Sequence, residues 1–132
     1  MTYGAPKSMI YAGLTKDDPR VKAAWGWIGR NWTVNENPGM AAADPKQAPD
    51  GLFYYYATMG KALSANGDAE ITDAQGRGHD WRVELIAELK KRQKPDGSFV
   101  GTQKWMENNP LLVTAFAVLA LRDAVADLKK VR

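Results

Sequence analysis

The chain has 132 residues, of which 45% are hydrophobic and 25% charged, and these ordinary proportions predict a single globular domain over residues 1–132. Several of the basic residues behind the net charge of +3 lie at predicted helix ends, which argues against nucleic-acid binding. Cys is absent, which excludes disulfides, thiolate nucleophiles and Cys-ligated zinc, and we expect no cofactor.

Five helical segments are predicted, and the first three lie in the N-terminal half. The first covers residues 7–14. The second begins at Asp18-Pro19, an acidic N-cap followed by a Pro at the first helical position, where its missing N–H is no loss. After a Pro- and Ala-rich connection over residues 33–50, the third covers residues 52–65. It ends at Asn66-Gly67, which suits a left-handed stop.

Two further helices follow a short hairpin, which is predicted from residues 70–72 and 78–81 around a turn at 74–76. The fourth helix has Asp80 as its N-cap, extends to about Arg92 and carries its apolar residues on one face. The fifth begins at Asn109-Pro110 and extends towards Val131. Its apolar run, residues 111–121, is about half of the ~20 residues that cross a bilayer, so we expect a helix buried on all sides and no transmembrane segment.

The cellular compartment is predicted from the start of the chain. Residues 1–6 lack the charged and then apolar layout of a signal peptide. We therefore expect a soluble protein of the cytoplasm.

The five segments alternate in character. The first, third and fifth are apolar nearly all round or rich in aromatic residues, whereas the second and fourth are amphipathic, which predicts two layers of helices. A short repeat supports this interpretation, because Asp18-Pro19-Arg20-Val21 matches Asp80-Trp81-Arg82-Val83. The sequence thus predicts about two and a half copies of a unit made of an inner and an outer helix.

The segment between the fourth and fifth helices resembles a known motif. Its pattern, Leu89-x3-Gln93-x3-Gly97-x-Phe99, is similar to the QW motif of squalene–hopene and oxidosqualene cyclases. Phe99 stands where that motif usually has Trp, and the basic-small pair expected before the motif is absent. Further similarity lies in residues 8–14, 17–21, 38–39, 51–56 and 79–81. The chain therefore resembles the prenyltransferase/squalene oxidase (terpene cyclase) repeat family over nearly its whole length.

The resemblance implies an all-α fold of the α/α-toroid type, in which inner helices surround a cavity and outer helices surround the inner ones. In that family the Gln and the aromatic residue of the turn are structural. The resemblance implies that Gln93 satisfies polar groups at a neighbouring helix end, that Phe99 packs on the preceding outer helix, and that Gly97 lies in the turn between them. A complete toroid has more inner helices than three. The chain is therefore expected to form a homo-oligomer or to belong to a larger toroid.

The catalytic residues of that family are missing. Squalene–hopene cyclases protonate their substrate with an Asp-x-Asp-Asp cluster, and the nearest sequence here, Lys16-Asp17-Asp18, lacks the first Asp and lies at a helix cap. The zinc ligands of the protein prenyltransferases are absent too. We interpret His79 and Asp80 as a helix start rather than an acid–base pair, and the acidic residues between 68 and 73 as a solvated turn. We expect no catalytic residue and no metal site.

Aromatic residues are the candidates for binding. Phe53-Tyr54-Tyr55-Tyr56 places four rings in sequence, and consecutive residues of a helix point about 100° apart, so these rings cannot all enter one core. At least one ring must reach a cavity, an interface or the surface. Rings at the inner surface of a toroid grip an isoprenoid chain or stabilise a carbocation, and the alternative is that they only pack in the core. The candidate ligand-binding residues are Tyr11, Tyr54, Tyr55, Tyr56, Trp105 and Phe116.

Two functions are compatible with these patterns. The first is a non-catalytic domain, related to terpene cyclases, that acts as an oligomerising scaffold or binds an apolar, isoprenoid-like ligand. The second is an isoprenoid cyclase of the squalene–hopene type whose catalytic acid lies outside this chain. The missing acid cluster and zinc ligands favour the first.

Overall fold

A computed structural model describes residues 2–130. This part of the chain contains five α-helices and one two-stranded hairpin, which confirms the predicted all-α fold with its five helices. The helices are α1 (Gly4–Tyr11), α2 (Pro19–Arg30), α3 (Leu52–Asn66), α4 (Trp81–Arg92) and α5 (Pro110–Lys130), and the strands are β1 (Glu70–Thr72) and β2 (Gly78–Asp80). The predicted extension of the fifth helix to Val131 lies outside the described residues.

The helix ends follow the local sequence signals. The Asp18 side chain accepts a hydrogen bond from the backbone N–H of Arg20, so the predicted N-cap of α2 is confirmed. Asp80 caps α4 in the same way by accepting from Arg82 and Val83. At the end of α3, Gly67 has a φ of +80°, the left-handed conformation expected there.

α3 lies at the centre of the packing. It contacts α5 most extensively and also contacts α1 and α4. Nine of its 15 residues are buried, and seven of these form part of one hydrophobic cluster with residues of α2, α4 and α5. At Gly60 the backbone of α3 approaches that of α5 closely, since a Cβ placed on Gly60 would lie 3.3 Å from the carbonyl oxygen of Ala120. The arrangement of these helices into inner and outer rings stays a prediction.

The hairpin packs on α2. In its antiparallel register Ile71 pairs with His79, and Ile71 is buried. The carbonyl oxygen of Thr72 faces Gly29 so closely that a Cβ placed on Gly29 would lie only 2.5 Å from it. A residue without a side chain at position 29 therefore permits the contact between α2 and β1.

α4 buries its apolar face as predicted, with Trp81, Leu85 and Leu89 fully covered. Two charged residues, Arg82 and Glu88, are buried as well, although the sequence pattern put them on other faces. Arg82 is held by Asp80 at 2.7 Å and lies 3.6 Å from the buried Asp127 of α5. This ion pair explains how a charged residue is accommodated between α4 and α5.

The expectation that the apolar run of α5 is buried on all sides is wrong. Leu111 is 84% exposed and Val118 is 55% exposed. Small residues on the opposite face, including Ala117, Ala120 and Ala124, are buried. α5 therefore presents a second apolar surface to solvent in this chain.

The turn after α4 contains the QW-like residues, and the contact of Gln93 differs from the one implied by the resemblance. The Gln93 side chain is exposed and donates a hydrogen bond over 3.0 Å to the carbonyl oxygen of Gly97, within its own turn and not at a neighbouring helix end. Gly97 has a φ of +85°, as the turn requires. Phe99 is buried against Phe53 of α3, with ring centroids 5.8 Å apart. Phe99 thus contacts α3, and its expected packing on α4 stays a prediction.

Candidate functional site

A cavity of about 330 Å³ lies beside the N-terminal end of α3 and the first turns of α5. Three of the predicted binding residues, Tyr54, Trp105 and Phe116, line it together. The rings of Tyr54 and Phe116 meet edge to face, with centroids 5.7 Å apart. The remaining lining residues are Asn37, Met40, Gly51, Glu107 and Leu112. The walls are therefore mainly apolar, with few polar groups, which is the usual composition of small-molecule sites.

Glu107 connects the cavity to the start of α3. The N-cap position of α3 is Gly51, which has no side chain to accept from the first free N–H groups of the helix. The carboxylate of Glu107 supplies the acceptors instead, because it receives hydrogen bonds from the backbone N–H groups of Phe53 at 3.3 Å and Tyr54 at 2.9 Å. A residue from a distant loop thus caps the central helix.

The environment of Glu107 has two opposing effects on its charge. Its side chain is fully buried, and burial raises the pKa of the carboxyl group above its ordinary value. The hydrogen bonds from the N–H groups of Tyr54, Phe53 and Leu52 oppose this rise. The positive end of the α3 dipole also favours an anion at this position.

Trp105 is held in an unusual backbone conformation. Its φ of 52° and ψ of 33° lie in the left-handed region, and Met106 follows with a φ of 60°. Non-glycine residues adopt this region at a cost of roughly 1–3 kcal/mol each, and such residues cluster at ligand-binding sites. The Trp105 ring lies against Gly51, where a Cβ would come within 2.8 Å of it. The strained loop and Gly51 are thus both needed to place the Trp105 ring over the N-terminal end of α3.

Polar residues fix the loops around the cavity. The Asn37 side chain donates to the carbonyl oxygen of Asp50 over 2.9 Å, which ties the connection after α2 to the start of α3. The Lys104 ammonium lies 5.0 Å from the centre of the Trp105 ring and 3.6 Å from the Asp50 carboxylate. The loop that carries Trp105 is therefore anchored next to the cavity by a cation–π contact and an ion pair.

The other three predicted binding residues lie elsewhere. Tyr55 and Tyr56 are buried in the core, and their hydroxyl groups donate to the carbonyl oxygens of Thr33 and Val34. Burial raises the pKa of both tyrosines. Tyr11 is 60% exposed on α1 and does not line the cavity. Of the four consecutive aromatic residues, Tyr54 reaches the cavity. The sequence predicted that at least one of these rings would reach a cavity, an interface or the surface.

His79 belongs to a polar cluster that the sequence did not reveal. Its Nδ1 lies 2.7 Å from Glu84 and its Nε2 lies 3.1 Å from Asp73, while Glu84 also accepts the indole N–H of Trp32. Partial burial lowers the pKa of His79, but the hydrogen bonds that its ring donates to Asp73 and Glu84 outweigh that effect and raise the pKa overall. The cluster joins the hairpin, α4 and the loop after α2, and it faces no substrate cavity among those described.

The acidic residues considered as a catalytic acid or a metal site form local hydrogen bonds and ion pairs. Hydrogen bonds from Arg20 lower the pKa of Asp18 to about 2, which suits a cap and not a proton donor. Asp68 is paired with Lys16 at 2.7 Å, and Asp73 accepts from the backbone of Arg77. Among residues 2–130 no group of three or more His, Asp or Glu residues has a geometry that would hold a metal ion.

Sequence reasoning missed the polar side of the cavity. Glu107 follows Trp105 and Met106 in a segment with no periodicity, so nothing in the pattern pointed to its contact with α3. One signal was available. Gly51 stands immediately before an apolar helix, where a Ser, Thr, Asp or Asn cap is usual, so a distant group must satisfy this helix start.

Comparison of the chain with protein-family models, with curated proteins and with solved structures found no match. The resemblance to the terpene-cyclase repeats therefore has no independent support. None of the helices within residues 2–130 combines the length and the apolar character needed to cross a bilayer.

Proposed function

We propose that this chain is a non-catalytic helical domain that binds a small apolar ligand of isoprenoid type in the cavity between α3 and α5. The single observation that carries the proposal is the convergence of Tyr54, Trp105 and Phe116 on one cavity with mainly apolar walls. These rings belong to three separate elements, so their convergence is a property of the fold and not of one sequence run.

Two further features support a binding site rather than a packing defect. The residue that carries the Trp105 ring has a left-handed backbone, and strain of this kind is maintained where the surrounding contacts determine it. Tyr54 is 51% exposed, so a ligand gains contact with a ring that the protein itself leaves half uncovered. The cavity of about 330 Å³ is at the lower end of small-molecule sites, which favours a short prenyl chain over a full-length triterpene precursor.

The cyclase function is the weaker candidate because the carboxyl group in the cavity is engaged in capping a helix. Glu107 is the carboxylate that lines the cavity, and its raised pKa is a property that a proton donor needs. Its oxygens, however, accept the N–H groups at the start of α3. We therefore assign Glu107 an architectural role in this proposal.

The experiment is a titration of the protein with farnesol as the probe, in which binding is measured by isothermal titration calorimetry. Tyr54→Ala is the test variant and Tyr11→Ala the matched control, because both tyrosines are more than half exposed and only Tyr54 lines the cavity. We expect saturable binding to the wild type and to Tyr11→Ala. The loss of one aromatic contact worth ~1.4 kcal/mol should weaken binding of Tyr54→Ala about tenfold.

Absence of saturable farnesol binding by the wild type, or equal weakening by the two variants, would contradict the proposal. A second assay addresses the cyclase alternative. The protein is incubated with squalene or farnesyl diphosphate, and the extract is analysed by mass spectrometry. A cyclic product absent from the boiled control would replace the binding function with the catalytic one.

A further inference from the structure

The exposed surface of α5 has the spacing of a coiled-coil seam. Leu111, Val118 and Val125 lie seven residues apart and are exposed by 84%, 55% and 39%. Thr114, Leu121 and Leu128 lie three residues after each of them and are half-buried. Alternating steps of three and four residues are the pattern by which two helices interlock side chains. We call these six residues the α5 seam.

We propose that a second copy of this chain covers the α5 seam, with the two α5 helices antiparallel about a twofold axis. The register follows from the sequence. When Leu111 lies opposite Leu128 of the second copy, Val118 lies opposite Leu121 and Thr114 opposite Val125. One register therefore pairs every member of the seam with another member, as a closed symmetric interface requires.

The shape of the surface fits a helix at this position. The N-terminal half of the seam forms one wall of a groove of about 480 Å³. The turn Asp96-Gly97-Ser98 forms the opposite wall. In the antiparallel register, the C-terminal half of the second α5 enters this groove. Val125 and Leu128 of the second copy would then fill space that is open in the single chain.

Charge selects the antiparallel direction. Asp96, beside Pro110 at the start of α5, is exposed, and hydrogen bonds from Ser98 lower its pKa, so it is an anion. An antiparallel partner brings Lys129 of the second copy towards Asp96. A parallel partner would instead place Lys129 next to Lys129 of the second copy and align the two helix dipoles unfavourably. The antiparallel pair therefore gains attraction at both ends.

The area predicts a weak dimer. A helix of 21 residues is ~30 Å long, and a contact ~20 Å wide that includes the turn covers ~600 Å² per copy. Specific stable interfaces bury about 800 Å² per partner, so we expect dissociation in the micromolar range. Measurement must therefore extend to high protein concentration.

Sedimentation velocity from about 1 to 200 μM tests the dimer. Val118→Asp is the test variant and Val83→Asp the matched control, since both valines are helical and 55% exposed, and Val83 lies on α4 outside the seam. We expect a concentration-dependent dimer for the wild type and for Val83→Asp. Val118→Asp should weaken dimerisation by about 100-fold, because it buries an unpaired charge. A wild type that stays monomeric throughout, or equal loss in both variants, would overturn the proposal.

Cross-linking then tests the direction, and the absence of native Cys makes the result unambiguous. In the double variant Leu111→Cys/Leu128→Cys, an antiparallel pair brings unlike positions together, so oxidation yields a covalent dimer. The single variant Leu111→Cys should give none, because its two copies lie at opposite ends of the seam. A covalent dimer of the single variant would mean a parallel pair and would refute the proposed arrangement.

Discussion

Two glycines of α2 should respond oppositely to the same substitution. Gly29 and Gly26 are three residues apart in one helix, and each is replaced in turn by Ala. A Cβ at position 29 would lie 2.5 Å from the Thr72 carbonyl oxygen, which belongs to the backbone of β1. A Cβ at position 26 would meet only the end of the flexible Arg30 side chain, at 3.4 Å. Because both positions lie in the same helix, their different contacts decide whether the substitution raises or lowers the free energy of unfolding.

The magnitude follows from two terms. Ala is about 1 kcal/mol more favourable than Gly inside a helix, and this gain applies at both positions. At position 29, ordinary contact requires β1 to move away by almost 1 Å, and overpacking of this kind costs about 1–3 kcal/mol. We expect Gly29→Ala to lower the free energy of unfolding by ~2 kcal/mol at the upper end of that cost. Gly26→Ala should raise the free energy of unfolding by ~1 kcal/mol.

Urea denaturation followed by circular dichroism measures both changes against the wild type. The slopes of the transitions must agree for the comparison to report stability alone. The expected difference between the two variants, ~3 kcal/mol, corresponds to a difference in Tm of roughly 10 °C for a domain of this size. If Gly29→Ala is as stable as Gly26→Ala, the close packing of α2 on the hairpin is wrong.

Two further predictions concern the polar cluster and the turn. Because the pKa of His79 is raised in the folded chain, its charged form contributes stability that is fully present below the unfolded value near 6.5 and is lost as the pH rises through the folded pKa. His79→Gln should therefore flatten the fall in Tm above pH 6.5, and an unchanged pH profile would exclude the ion-pair geometry. In the QW-like turn, Gln93→Ala removes one exposed hydrogen bond and should cost ~0.5 kcal/mol in thermal unfolding. Gly97→Ala forces a left-handed residue and should cost ~1 kcal/mol, and the reverse ranking would contradict the contacts described.

Helix positions were predictable because their signals are local. Asp18-Pro19, Asp80 and Asn66-Gly67 specify helix ends through their own side chains and backbone preferences, and the structure has helix ends at each. The start of α1 was missed by three residues, because the helix begins at Gly4, which is a weak helix former. Local chemistry thus predicted the elements better than their packing.

The packing and the site depend on contacts between distant residues, which periodicity does not encode. The sequence put Arg82 on an exposed face, but Asp127 lies opposite it on α5 and allows its burial. Of six aromatic candidates, the fold brings Tyr54, Trp105 and Phe116 together, and this depends on the left-handed turn at Trp105. No sequence pattern predicted that a tryptophan and a methionine would adopt positive φ.

The capping of α3 by Glu107 has a consequence for the order of folding. Glu107 and Tyr54 are 53 residues apart, so the first turn of the central helix is completed only after the chain has closed a long loop. Contacts of such separation form late and slow the folding of small domains. A chain shortened to end after α4 would keep every residue of α3 and still lack the acceptor for the start of that helix. The start of the central helix is therefore completed by a residue that follows it by 53 positions in the chain.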